Sequence, residues 1–130
     1  MGPVAFTAVP VWAEHPPEGF SRLAIEVGII GDDSAEAVDV VLICDDPTVR
    51  GKGDVEGKDV NFRGRSFTFR SDEVGPLAGR RWYYLPEDYV EAVKAVFDVV
   101  SSDGIHVQVL VDGEKKTIDG ETISDFVSAL

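Results

Sequence analysis

PEDYVEAVKAVFDVVSSDGIHVQVLVDG, residues 86–113, changes its hydrophobic period in mid-course, and that change decides the fold. Val90, Val93, Phe97 and Val100 recur at spacings of three and four, the period of one helix face. Pro86 suits the first helical position, Glu87 and Asp88 favour the positive end of the helix dipole, and Gly104 offers a stop. These signals predict one long helix over about 86–102. From Ile105 the period drops to two: Ile105, Val107, Val109 and Val111 alternate with His106, Gln108 and Leu110, as in a strand with one buried face. Asp112-Gly113 is a tight hairpin turn, and EKKTI follows as the returning strand. Thr122 and Asp125 resemble a capping box. Beyond Thr122, Ile123, Phe126, Val127 and Leu130 keep the i, i+3, i+4, i+7 spacing of a short C-terminal helix over about 122–130.

Towards the N-terminus the signals are those of strands. Val4, Phe6 and Ala8 alternate with polar or small neighbours, and Pro10 assigns that strand to a sheet edge, because proline cannot donate to a ladder. SRLAIEVGII (21–30) and AVDVVLICDD (37–46) read as two strands around the turn GDDS, and the unbroken apolar run Val40–Ile43 makes the second one central. PTVRGKGDVEGK (47–58) reads as a loop. DVNFRGRSFTFR (59–70) reads as a hairpin turning near Arg63-Gly64, with Phe67 and Phe69 on one face. SDEVGPLAG (71–79) is a further loop before a short strand at 81–85. Strands followed by helix, hairpin and helix argue for an α+β fold: a mainly antiparallel sheet of about six strands with the helices on one face. The length of 130 residues suits a single globular domain over 1–130.

The C-terminal third, YVEAVKAVFDVVSSDGIHVQVLVDGEKKTIDGETISDFVSAL, resembles the end of the invasion-associated locus B group of exported bacterial proteins. That group shows a helix, a glycine turn, a hairpin and a terminal helix with a GF-x-x-AL pattern. Phe126, Ala129 and Leu130 match the pattern, with Asp125 standing where glycine is usual. The resemblance covers residues 89–130. It implies export and supplies no catalytic site.

Composition separates the remaining classes. The hydrophobic share of 44% is that of a folded domain, which argues against global disorder. No apolar run reaches the roughly 18 residues that span a bilayer, so no membrane contact is expected. The N-terminal MGPVAFTAVPVWAE lacks a basic start and is broken by Pro3 and Pro10, which predicts no signal peptide. Cys44 is the single cysteine, so an intrachain disulfide is excluded and a reducing, cytoplasmic compartment is expected. The net charge of −12 is unevenly spread. Residues 1–49 hold −8, residues 50–81 hold +3 and residues 82–130 hold −7. The acidic parts repel nucleic acid at long range.

Three acidic pairs, Asp32-Asp33, Asp45-Asp46 and Asp72-Glu73, carry the oxygen ligands that a divalent cation prefers. Asp45 and Asp46 are the best placed, directly after VVLIC, although solvated turn acids account for all three pairs. His15 and His106 do not form a zinc spacing, and no serine lies in a G-x-S-x-G elbow. Cys44 and His106 could form a nucleophilic pair, alongside Asp45 and Asp46 in a small enzyme; the parity of Cys44 with Val40 and Leu42 argues instead for a buried, inert thiol. No cofactor is expected, since GKGDVEGK lacks the Lys-Ser/Thr ending of a phosphate loop.

The stretch from Phe62 to Tyr84 interleaves Arg63, Arg65, Arg70, Arg80 and Arg81 with aromatics. Such a mixture stacks bases and pairs phosphates in single-stranded nucleic-acid binders, but it also supplies the residue types of protein-interface hot spots. The sequence therefore predicts a non-enzymatic acidic protein acting through protein–protein contact, as an inhibitor or accessory factor with a protein partner or a second copy of itself. The contact residues expected are Arg80, Arg81, Trp82, Tyr83, Arg63 and Arg65. The alternatives are a small enzyme or metal- or ligand-binding protein using Asp45 and Asp46, and a single-stranded nucleic-acid binder through residues 62–84.

Overall fold

The computed structural model describes residues 5–30, 37–44, 53–55, 58–60, 65–71, 80–100 and 102–130. Their strands are β1 (Phe6–Trp12), β2 (Phe20–Ile29), β3 (Val38–Cys44), β4 (Gly53–Val55), β5 (Lys58–Val60), β6 (Arg65–Thr68), β7 (Arg70–Ser71), β8 (Arg80–Pro86), β9 (Ile105–Val111) and β10 (Glu114–Asp119). The helices are α1 (Val90–Val99) and α2 (Gly120–Ser128). The fold is α+β and every strand pair is antiparallel.

The eight main strands divide into two sheets, ordered β1-β2-β8-β7 and β10-β9-β3-β6. One stretch of chain, Arg65–Ser71, serves both. It pairs with β3 through β6, bends at Phe69, and pairs with β8 through β7. At the bend the Phe69 N–H still donates to the Val40 carbonyl at 2.8 Å. Such a sheet-switching strand is how two packed sheets make a corner. At the opposite edges β1 and β10 lie against each other, with the Lys116 ammonium 5.2 Å from the centre of the Phe6 ring.

One core fills the space between the sheets. β2 contributes Leu23, Ile25 and Val27, β3 contributes Val40, Leu42 and Cys44, and β9 contributes its odd-numbered residues from Ile105 to Val111. Both helices feed the same core, α1 through Val90, Val93 and Val96, α2 through Ile123 and Val127. Each fully buried Val, Leu or Ile adds about 1.5–3 kcal/mol relative to exposure, so these strictly alternating strands carry most of the driving force.

Several local readings are corrected. The expected single sheet of about six strands is two four-stranded sheets plus the two-stranded β4-β5 pair. The two strands around residues 31–36 do not pair with each other: β2 belongs to the first sheet and β3 to the second, where β3 is interior as expected. Residues 59–70 are not one hairpin either. Lys58–Val60 pairs back on Gly53–Val55, inside the segment read as a loop, while Arg65–Thr68 pairs with β3. The turn residues Arg63 and Gly64 lie outside the described residues, as do Asp45, Asp46 and the loop 72–79.

The long helix is shorter than expected. Pro86 ends β8 and precedes a 3-10 turn, Glu87–Tyr89, before α1 begins at Val90. α1 stops at Val99, where Val100 turns extended, and Gly104 falls in a separate 3-10 turn, Ser102–Gly104. In α2 the cap is not Thr122. Asp119 stands at the N-cap, its carboxylate accepting from the Thr122 N–H at 2.8 Å and from the Thr122 hydroxyl at 2.8 Å. The Asp112-Gly113 turn is as expected, with φ of 48° and 89°, both in the region a two-residue hairpin requires.

Gly120 fixes how closely α2 approaches β9. A Cβ there would lie 2.5 Å from the Ser102 carbonyl oxygen and 2.7 Å from that of Ile105. Gly120→Ala is therefore expected to destabilise the fold by about 1–3 kcal/mol, the usual cost of overpacking. Urea unfolding of the two proteins measures it.

Candidate functional site

The first sheet has two apolar faces, and only one lies in the core. Along β2 the odd-numbered residues point inward, whereas Ala24, Glu26 and Gly28 point outward. Register carries this outward face across the sheet. Thr7, Gly28 and Arg80 form one cross-strand row; Val9, Glu26 and Trp82 form the next; Val11, Ala24, Tyr84 and Arg70 form a third. Ile30, whose N–H donates to the Ala5 carbonyl at 2.9 Å, extends the face beyond Thr7.

Aromatic rings organise its centre. Trp82 packs edge-on to Tyr84 with centroids 6.1 Å apart, and Phe20 lies 5.5 Å from the other side of Tyr84. Phe20 shares the parity of Ala24 and pairs with Pro86, past an irregularity in the ladder. The Trp82 indole N–H donates to the Glu26 carboxylate at 2.8 Å, which fixes the ring plane on the sheet. Ala13, Ala24 and Tyr84 are buried beneath, and Val11, Phe20 and Trp82 are half-buried. The two large hydrophobic residues most exposed among the described ones, Val9 at 46% and Ile30 at 60%, both belong to this face. Arg80 and Arg70, both exposed, flank the rings.

The expected contact residues separate between the two faces of β8. Arg80 and Trp82 lie on the outer face. Arg81 alternates to the inner side and is half-buried. Tyr83 is a correction: its ring turns to the opposite side of β8 from Trp82 and is buried in the main core. Arg65 pairs with Cys44 on β3 of the second sheet and is not a neighbour of Trp82 in the ladder. Arg63 lies outside the described residues. Val9, Ile30 and Glu26 were not singled out in the sequence. Their alternation marks them as one face of a strand, but only the pairing of β1 with β2 and β2 with β8 shows that they join Trp82.

The enzymatic arrangement fares differently. Cys44 pairs with Ile105 and His106 with Ile43, one step apart in the same ladder, so Cys44 and His106 point to opposite faces of the second sheet. The Cys44 thiol is buried. His106 instead lines an open cleft of about 450 Å³ with Ser102, Asp103, Thr117, Asp119 and Glu121. No group of three or more His, Cys, Asp or Glu that could hold a metal ion occurs among the described residues. A second hollow of about 300 Å³ lies between Trp12, Ser21, Arg22, Glu87, Val90, Ala129 and Leu130. No helix among the described residues is long and apolar enough to cross a membrane.

In the larger cleft Asp119 is committed to its cap. The Thr122 backbone N–H, then the Thr122 hydroxyl, hold its carboxyl below the usual 3.8. No family model, curated protein or solved structure matches the chain.

A carboxyl depressed in the folded state stabilises the fold above its unfolded value, and the contribution is lost as pH falls through the folded one. Asp119→Asn keeps a capping oxygen but cannot titrate. The wild type is expected to be the more stable at pH 7, with the gap narrowing below pH 3.8; urea unfolding across that range is the check. Buried Cys44 is expected to react with an aromatic disulfide reagent only on unfolding, which following thiol release with and without denaturant will show.

Proposed function

We propose that the protein is a non-enzymatic binding protein, an accessory or inhibitory factor, whose contact surface is the outer face of the first sheet. One observation carries the reading: the exposed side chains of Val9 and Ile30 lie on the same outer sheet face as the half-buried rings of Phe20 and Trp82. Exposed apolar surface joined to aromatics and rimmed by polar groups is what protein interfaces bury. Trp82, with its indole already held by Glu26, is a rigid anchor that loses little freedom on contact.

The nucleic-acid alternative uses the same rings and is less well served. Tyr84 is only 7% exposed, which denies a base its face. Glu26 places a carboxylate in the middle of the patch, and the −12 net charge opposes approach of a phosphate backbone.

Affinity capture from a native extract, run with the wild type and two surface variants, tests the proposal. Proteins held by the wild type should be lost with Arg80→Glu and with Val9→Asp, and kept with Lys115→Glu on the second sheet. A retained set unchanged by Arg80→Glu and Val9→Asp contradicts it.

A further inference from the structure

We infer that the occupant of this face is a second copy of the same chain, packed sheet against sheet about a two-fold axis. The inference rests on the reading that the face is a protein-contact surface, and names the partner for it.

Two of the four edge strands, β1 and β10, oppose the other way two sheets can join. Ala13 donates to the Arg22 carbonyl at 2.7 Å and Ile30 to that of Ala5 at 2.9 Å, so the odd-numbered residues of β1 exchange bonds with β2. The even-numbered ones turn their backbone groups outward, and there Pro10 has no N–H to offer. The edge strand of the second sheet, β10, is guarded by Glu114, Lys115, Lys116 and Asp119. Charged and proline-bearing edges of this kind resist strand addition at β1 and β10.

A two-fold contact sets one patch against itself, so the patch must hold both partners of each pair. The outer face of the first sheet does. Arg80 and Glu26 sit on neighbouring strands in neighbouring rows, so Arg80 of one copy can address Glu26 of the other while Val9, Trp82 and Ile30 are covered. The three cross-strand rows hold Arg70 and Arg80 against Glu26, on a chain of −12. The exposed side of α1 and its leading turn, by contrast, presents Glu87, Asp88, Glu91 and Asp98. Two acidic molecules meet with less repulsion on these rows than on the helix side.

Strands ~4.8 Å apart and residues rising ~3.4 Å give a face of a few hundred Å² per copy, at the lower end of protein interfaces. The contact is therefore small, and its strength rests on Val9, Trp82 and Ile30 as anchors and not on area. Its salt dependence has a fixed sign: screening the repulsion between two −12 molecules strengthens an apolar, mixed-charge contact. An acidic partner held by Arg70 and Arg80 would instead be released by salt.

Sedimentation velocity of the purified chain, from low micromolar to millimolar protein, decides the matter. Raising salt from about 10 mM to about 150 mM, where the Debye length falls from ~30 Å to ~8 Å, should tighten the dimer. Val9→Glu and Ile30→Glu should each weaken it about tenfold or more, by placing a charge in the contact. Thr117→Glu, which adds the same charge to the exposed strand of the other sheet, should change it less than about threefold at the higher salt. A chain monomeric throughout overturns the second copy as occupant and leaves the face to an unlike protein, which the capture experiment judges separately. A dimer loosened by salt, or indifferent to both Val9→Glu and Ile30→Glu, also overturns it.

Discussion

The hydrogen bond from the Phe69 N–H to the Val40 carbonyl, 2.8 Å long, holds the corner on which the fold depends. On one side of it the chain belongs to the second sheet through β6, and on the other to the first through β7. Phe69 itself is buried between them. Because one stretch of backbone is shared, the two sheets face each other across one core, and each keeps an outer face. Outside, the second sheet mixes Asp39, His106, Gln108 and Thr117 with the half-buried Val41, Ile43 and Leu110. The first is aromatic outside, and that asymmetry is what the functional reading uses.

Much of this was legible in the sequence where a single element decides its own fate. The alternation in Ile105–Val111 gives the observed inner and outer faces, and Asp112-Gly113 makes the observed turn, because side-chain period and turn chemistry are local properties. Pro10 on an edge strand was legible for the same reason. Pairing was not. Nothing within SRLAIEVGII or AVDVVLICDD says that they enter different sheets, and nothing in RSFTFRS says that it changes sheets at Phe69. Those outcomes are set by contacts between residues far apart in the chain. The caps slipped by a few residues because Asp119 and Thr122 are both good capping types, and only the helix start at Gly120, squeezed against Ser102 and Ile105, selects Asp119.

The candidate site was half legible. The division of Trp82 and Tyr84 from Arg81, Tyr83 and Leu85 follows from strand alternation, and the two groups do separate into two apolar clusters. Which group faces outward needs the rest of the sheet. Tyr83 and Leu85 belong to the main core with the valines of β3 and β9, while Trp82 and Tyr84 belong to the separate cluster with Ala13, Ala24, Val11 and Phe20. The basic-aromatic stretch is thus a composite. One half builds the core and the other, joined by Val9, Ile30 and Glu26 from β1 and β2, makes a surface that no sequence window contains.

The claim that matters most is that this surface is covered in the native setting. Oxidative footprinting compares the two tryptophans of the chain, Trp82 at the centre of the face and Trp12 beside the separate hollow of about 300 Å³. The account predicts that oxidation of Trp82 falls in native extract relative to dilute purified protein, while that of Trp12 is unchanged. Equal oxidation of Trp82 in both settings would contradict it.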